Sequence, residues 1–406
     1  MFDLLASKSG NGRARGRAGP DLARLRRASW AFTTRRVRQS VCGLADRAET
    51  PKAGDLVLAR VDAVGYHAAL QLPDGRRKQL FVGDEIVVVY GNRYAPNQFE
   101  AVVPKTLDPC QLVAAGGVAG QALSWHASVK TSATQITPLG LLTGPIGEPA
   151  NVRDHALPSA DHVPAPRPPT IAVVGTAMDS GKTQTAAFLV KGLTLAGLRA
   201  GYAKVTGTGA GGDTWLLKDA GANPVLDFTD AGLVSTYLVS PAEVQSGFIT
   251  LMAHLIRSRV DAIVLELADG VLQGETAALL ASAVFREVVG GILFTAGDAM
   301  GAVAGDTWLK NMNLPLLGLG GVLTASPLQS AEASKATGLP VHTRQDLAQA
   351  KTAMEILTVA EQQHPEAAQR GSRAKVSGGR GRPELRMSIT CGPSHEDLTS
   401  EVEAPK

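Results

Sequence analysis

Apolar residues follow two different rhythms along this chain. Between residues 54 and 103 they come in short alternating groups, at 56–61, 69–72, 80–81, 86–90 and 99–103, broken by turn residues. Alternation with period two over so few positions predicts half-buried strands. Pro73-Asp74-Gly75 predicts a hairpin turn, because glycine tolerates positive φ, and Gly83-Asp84 is a second break. Strands so spaced predict a small barrel or a compact open sheet, continued by further strands to residue 152. Residues 91–99 form a polar and aromatic loop between two strands. That loop reads either as a recognition surface or as a long hairpin whose tyrosine and phenylalanine pack on the barrel mouth.

From residue 170 the rhythm changes. Near-continuous apolar runs at 171–174, 201–206, 261–267, 291–295, 314–319 and 339–343 alternate with segments of helical character. Helices are expected over 183–198, 277–287, 299–311, 326–337 and 344–362. Ser240-Pro241-Ala242-Glu243 joins a capping box to a proline at the first helical position and starts a helix to residue 257. Strands apolar throughout and separated by helices predict a parallel sheet covered on both faces. Five prolines between residues 153 and 169, Pro158, Pro164, Pro166, Pro168 and Pro169, mark a linker.

The expected organisation is therefore a disordered basic extension (1–28), a β-rich domain (29–152), the linker (153–169), an α/β domain (170–362) and a disordered tail (363–406). Arg13, Arg15, Arg17, Arg24, Arg26 and Arg27 give the extension the bias of a transit peptide or of a plain solvated segment. A length of 406 residues exceeds what one core holds. The formal charge of +3 is too small to argue for a specific nucleic-acid partner, and much of the positive charge lies in the tails. Cys42, Cys110 and Cys391 have no metal-ligand or redox spacing, which suits a reducing cytoplasmic setting. No apolar run reaches the roughly 18 residues of a membrane span, and no signal-peptide core is present.

The chemistry concentrates at residues 170–184. An apolar strand runs into Gly175-Thr176-Ala177-Met178-Asp179-Ser180-Gly181, and Lys182-Thr183-Gln184 opens a helix. The first N–H groups of that helix lack intrahelical partners, and its dipole adds partial positive charge, so a nucleotide's phosphates suit the site. Lys182 would bring a full charge to the β and γ phosphates, and the Thr183 hydroxyl would ligate Mg²⁺. Gly175 stands one place earlier than the usual spacing requires. Glu266 ends an apolar strand where an acid needs a use, and it is placed to reach Mg²⁺. Asp213, after a glycine-rich turn, reads either as a second metal ligand or as a helix cap. Lys204, inside a strand, reads either as a γ-phosphate contact or as an alkyl stem with its amine in solvent. Asp179, beside phosphates, is unfavourable unless it pairs with Lys182 or Lys204 or handles a proton.

These residues carry a resemblance. Gly175-Thr176-Ala177-Met178-Asp179-Ser180-Gly181-Lys182-Thr183 resembles the lengthened phosphate loop of dethiobiotin synthetase, and the likeness covers about residues 170–345. The loop is also similar to that of bacterial proteins in which such a domain follows an unrelated N-terminal one. The likeness implies ATP and Mg²⁺, with Lys182 and Thr183 on phosphates and metal. It further implies Asp179 as the loop's acid, Lys204 as the second-strand lysine, Thr208 as a hydroxyl contact, Glu266 as the strand-end glutamate and Asp213 as a metal-side acid. Three departures stand out. The synthetase's early loop acid is Ala177 here, its adenine-side asparagine is absent from residues 323–327, and the β domain has no counterpart in it. The lysine of partition and arsenite ATPases would fall at Ala177, and no Asn-Lys-x-Asp guanine motif occurs.

The expected architecture is an α/β, mostly parallel P-loop NTPase domain with a smaller, barrel-like β domain. The expected activity is ATP- and Mg²⁺-dependent phosphorylation, and so activation, of a small carboxylate or carbamate. The alternatives are a regulatory or chaperone-like NTPase whose β domain binds a partner or cofactor, and a nucleotide-binding module with weak turnover. No membrane partner is expected, and the oligomeric state stays open between monomer and homodimer.

Overall fold

Valine, leucine and isoleucine favour strands, and in the β domain five strands close into a ring. Leu56–Ala63 lies between Glu85–Tyr90 and Thr134–Thr143, antiparallel to both. Thr134–Thr143 also pairs with Cys110–Ala114, which pairs with Val118–Trp125. That last strand returns parallel to Glu85–Tyr90 through Val89↔Val118 and Tyr90↔Ala119, which shuts the barrel. The structure is a computed structural model, and it describes residues 20–37, 41, 43–45 and 49–363. The expectations for residues 1–19 and 364–406, and those for Cys42 and Cys391, lie outside the described residues.

Period-two alternation sends the barrel's side chains to two cores. Val57, Ala59, Ile86 and Val88 pack with Leu112 and Ile136, whereas Leu58, Val87 and Val89 pack with Leu25, Trp30 and Val37. The expected disorder up to residue 28 is thereby corrected for its last part. Pro20–Arg27 is helical, and Leu25 and Ala28 are buried against the barrel. Arginine-rich composition concealed this, although Arg24 itself is anchored on Glu85 at 2.6 Å. The hairpin at residues 73–75 joins Ala69–Gln71 to Arg77–Gln79, so the strand expected at 80–81 lies just before those positions.

The second domain holds a parallel sheet in the order Val225–Asp227, Ala200–Thr206, Ala262–Leu267, Thr170–Gly175, Gly291–Thr295, Leu316–Gly320. Alternate residues again separate. Ile171, Val173, Tyr202 and Val264 face the helix Lys182–Leu195, while Ala172, Val174, Ile263 and Leu265 face Pro241–Arg257 and its neighbours. Ser240 caps Pro241–Arg257 as its sequence predicts. Three expectations change. Residues 339–343 make only an isolated bridge, Leu319↔Val341. The helix expected at 277–287 breaks where Ser282 ends one helix and caps the next. Residues 344–362 divide into Arg344–Leu347 and Ala350–Gln362.

The two domains are pressed together. Arg35 forms ion pairs with Asp227 at 3.1 Å and Asp230 at 2.8 Å. Gln71 accepts from the Gly211 N–H at 2.7 Å, and the Tyr237 hydroxyl donates to Glu100 at 3.1 Å. The proline-rich segment lies along the second domain, with the Leu157 N–H on the Asp230 carbonyl and Val163 against the core. Among the described residues no helix is long and apolar enough to cross a membrane.

Gly116 sits where the backbones nearly touch, since a Cβ there would lie 2.1 Å from the Gly209 carbonyl oxygen. Gly116→Val is therefore expected to cost about 1–3 kcal/mol through overpacking, read as a lower melting temperature. An unchanged melting temperature would refute so close an approach.

Candidate active site

The phosphate loop is held open by its neighbours. The helix Lys182–Leu195 begins at Gly181, whose φ of 99° and distance of 2.9 Å from an added Cβ to Gly321 leave room only for glycine. The Thr176 N–H donates to the Thr295 carbonyl, the Val322 N–H donates to the Ser180 carbonyl, and Ser180 and Thr295 share a hydroxyl contact at 2.8 Å. Lys182 Nζ donates to the Ala177 carbonyl at 2.7 Å and to the Asp269 carbonyl. Its amine is thus folded over the concavity that phosphate oxygens would fill. Burial lowers its pKa to about 8 against the pull of Glu266.

Glu266 ties the site together. Lys204 and Glu266 are register partners on adjacent parallel strands, so their side chains leave the same face of the sheet. Lys204 Nζ lies 3.3 Å from Glu266 Oε1 and also pairs with Asp213. Thr183 donates to Glu266 Oε1 at 3.0 Å, and the Tyr202 hydroxyl donates to Oε2 at 2.8 Å. Glu266 is 1% exposed, and these contacts compensate what an unpaired buried carboxylate would cost. Burial alone would lower the Lys204 pKa, but Asp213 and Glu266 outweigh it and hold the amine charged. The reading of Lys204 as a solvent-directed amine does not survive. Asp213 stands as the partner of Lys204.

Mg²⁺ takes hard oxygen ligands and commonly completes its shell with phosphate and water. Thr183 Oγ1 and Glu266 Oε1 form such a donor pair. Among the described residues no three His, Cys, Asp or Glu side chains gather as a metal cage.

Asp179 departs from expectation. Its backbone has a φ of 64°, and its carboxylate accepts from Asn97 of the barrel at 2.8 Å, with neither Lys182 nor Lys204 as its hydrogen-bond partner. In the loop at residues 91–99, Phe99 is buried in the barrel, while Arg93, Tyr94 and Gln98 line a cavity shared with the phosphate loop. Tyr94 stacks on Tyr237 at 5.5 Å between ring centres. Between the domains is a cavity of about 810 Å³, lined on one side by Met178, Gly181, Lys182, Thr183, Gln184 and Thr208. Lys204, Asp213 and Glu266 also line it, and His67, Arg77 and Arg93 form the barrel side. Gly175, Thr176, Ala177 and Ser180 are not among the residues that line it.

Sequence reasoning missed Asp269, Tyr202, His67 and Arg93. An acid three residues after Glu266, at the head of a loop, was the available signal for Asp269. It lies in the cavity with a φ of 64°. Burial raises its pKa to about 6, opposed by Lys204, Lys182 and Arg93.

No protein-family model and no curated protein matches the chain. Solved structures similar to it include the signal recognition particle receptor FtsY from Elizabethkingia anophelis, at 15% identity and TM-score 0.32, covering 49% of this chain and 67% of that one. The same receptor in complex with GDP aligns at 14% identity and TM-score 0.34, covering 52% of this chain and 68% of that one. Signal Recognition Particle 54 kDa protein from Aeropyrum pernix K1 in complex with GDP aligns at 15% identity and TM-score 0.33, covering 52% of this chain and 50% of that one. This chain thus spans half the length of the Aeropyrum protein. The P-loop NTPase fold is read from the strand, loop and helix described above.

Because folding raises the Asp269 pKa from 3.8 to about 6, the folded state holds that proton more tightly than the unfolded one. Its contribution to stability therefore falls as pH rises between those values. Asp269→Asn removes the fall, so its stability relative to wild type should climb by about 2 kcal/mol from pH 4 to pH 7, measured by denaturant midpoints. A pH-independent difference would contradict the burial of this carboxyl.

Proposed function

We propose that this chain is an ATP- and Mg²⁺-dependent enzyme that transfers a phosphoryl group to a small carboxylate or carbamate. The supporting observation is the inter-domain cavity of about 810 Å³, which the phosphate loop lines together with Lys204, Glu266 and the barrel residues Arg77 and Arg93. An acceptor oxygen would attack the γ-phosphorus while the bond to the β–γ bridging oxygen breaks, leaving ADP and an activated acid. Charge on the transferring group lies on its three equatorial oxygens, and positioned cations stabilise it. Lys182 would reach the β and γ phosphates, and Lys204, which lines the same cavity, would act from the strand Ala200–Thr206. Mg²⁺, held by Thr183 and Glu266 together with phosphate, would supply further neutralisation. Asp213 and Glu266 keep the Lys204 amine charged and aimed. The resemblance of the loop to that of dethiobiotin synthetase supports the same reading, whereas the barrel argues for a different acceptor.

A regulatory switch is the second reading, and the bond from Asn97 to Asp179 favours it. Phosphates arriving at the loop would act directly on a contact between domains.

ATP turnover separates the two. The enzyme reading expects slow hydrolysis alone and at least tenfold acceleration by one acid from a metabolite panel, with ADP and phosphorylated acid formed together. Acceleration only by a protein partner would favour the switch. Lys204→Ala should abolish transfer while nucleotide affinity stays within about tenfold, or about 1.4 kcal/mol. Lys182→Ala should abolish nucleotide binding, and unchanged binding would remove the premise of both readings.

A further inference from the structure

Arg93 is the unusual charge of the barrel. It follows the strand Glu85–Tyr90, and its backbone is pinned on both sides by Ala101, with N–H to carbonyl distances of 2.8 and 3.0 Å. Its side chain is buried, with 6% of the residue exposed, yet among the described residues no carboxylate lies within ion-pair distance of it. Nη2 donates to Gln98, Nη1 lies 2.9 Å from His67 Nε2, and Nε has no hydrogen-bond partner.

The contact with His67 is itself compromised. His67 Nε2 lies 2.9 Å from the Val113 carbonyl oxygen as well. A protonated Nε2 donates to that carbonyl and has no lone pair left to accept from the guanidinium. An unprotonated one accepts from Arg93 and sets its lone pair against the carbonyl. Burial and Arg93 together push the His67 pKa down to about 3, so the ring is neutral. The guanidinium is therefore short of acceptors in a place where an uncompensated charge is costly. Burial lowers even its pKa to about 10, and only Tyr66 and Asp269 oppose that. A guanidinium so placed is suited to a carboxylate, which it can hold by two parallel hydrogen bonds.

We infer that Arg93, assisted by Gln98, anchors an anionic group of the acceptor, a carboxylate separate from the oxygen that takes the phosphoryl group. The acceptor is then a small acid with two acidic groups, one at the barrel wall and one at the phosphate loop, and the barrel is the domain that selects it. This rests on the reading of a small acid as acceptor, but it concerns binding and needs no turnover.

The full chain, saturated with Mg²⁺ and a non-hydrolysable ATP analogue, is titrated at constant ionic strength with malonate, succinate, glutarate and adipate. Butyrate serves as the control with one carboxylate. Calorimetry is expected to show at least one dicarboxylate binding ten times or more tighter than butyrate. Arg93→Gln should abolish that preference, Arg93→Lys should restore part of it, and nucleotide affinity should stay within about twofold in both. Without ligand, Arg93→Gln should melt at or above the wild-type temperature, because an unpaired buried charge has been removed.

A purely structural arginine would instead lower the melting temperature when replaced. That result, or the absence of any dicarboxylate preference in the wild type, overturns the inference. Loss of nucleotide affinity in Arg93→Gln with unchanged dicarboxylate binding overturns it too, assigning Arg93 to the triphosphate. Dicarboxylate binding that depends on Arg93 but leads to no phosphoryl transfer with ATP would leave the anchor standing and remove the transferase reading.

Discussion

The buried carboxylate of Glu266 is the constraint on which the site depends. A charge at the end of a central strand is tolerated only if the surrounding chain supplies partners, and three elements contribute. The first turn of the phosphate-loop helix sends Thr183, the adjacent strand sends Tyr202 and Lys204, and the helix after the glycine-rich turn sends Asp213 to Lys204. Satisfying one acid thus fixes the spacing between the phosphate loop and the neighbouring strand. It also keeps Lys204 charged in a location where burial alone would lower its pKa. Local electrostatics and loop geometry are here one requirement.

The barrel acts on that centre from outside the sheet. Arg35, Gln71, Asn97 and Glu100 each reach a group on the P-loop domain, and the near-contact of Gly116 with Gly209 lets the backbones approach closely enough to enclose a cavity. Enclosure changes the energetics of every charge inside it. Burial raises the Asp269 pKa to about 6 and lowers that of Lys182 to about 8, and among the described residues no carboxylate pairs with Arg93. Cations and acids both line the space, with Arg77 and Arg93 on the barrel wall and Lys182 and Lys204 beside Asp179, Asp213, Glu266 and Asp269 on the other.

Much of the P-loop domain was legible from periodicity. Apolar runs separated by amphipathic stretches identify a doubly covered parallel sheet, and Ser240-Pro241 marks a helix start that the structure reproduces. Failures came where local pattern and tertiary context diverge. Residues 339–343 look like a strand but make one bridge, and Val225–Asp227 is a strand too short to announce itself. Pro20–Arg27 was concealed by arginines whose composition resembles a solvated tail, although Leu25 supplies the burial that orders it.

The phosphate loop, its helix and the acid ending the neighbouring strand are local features, written in contiguous residues whose spacing and chemistry can be read directly. So is the division into a barrel-like unit and an α/β unit, because periods of two and of 3.6 residues need no partner to be seen. Which charges meet is a different matter. Lys204 met Glu266 through strand register, Asp179 met Asn97 across a domain boundary, and Arg93 lines the inter-domain cavity only because the barrel docks there. Those pairings join residues far apart in the chain, and the free energy that selects them comes from burial and close packing after the domains have met.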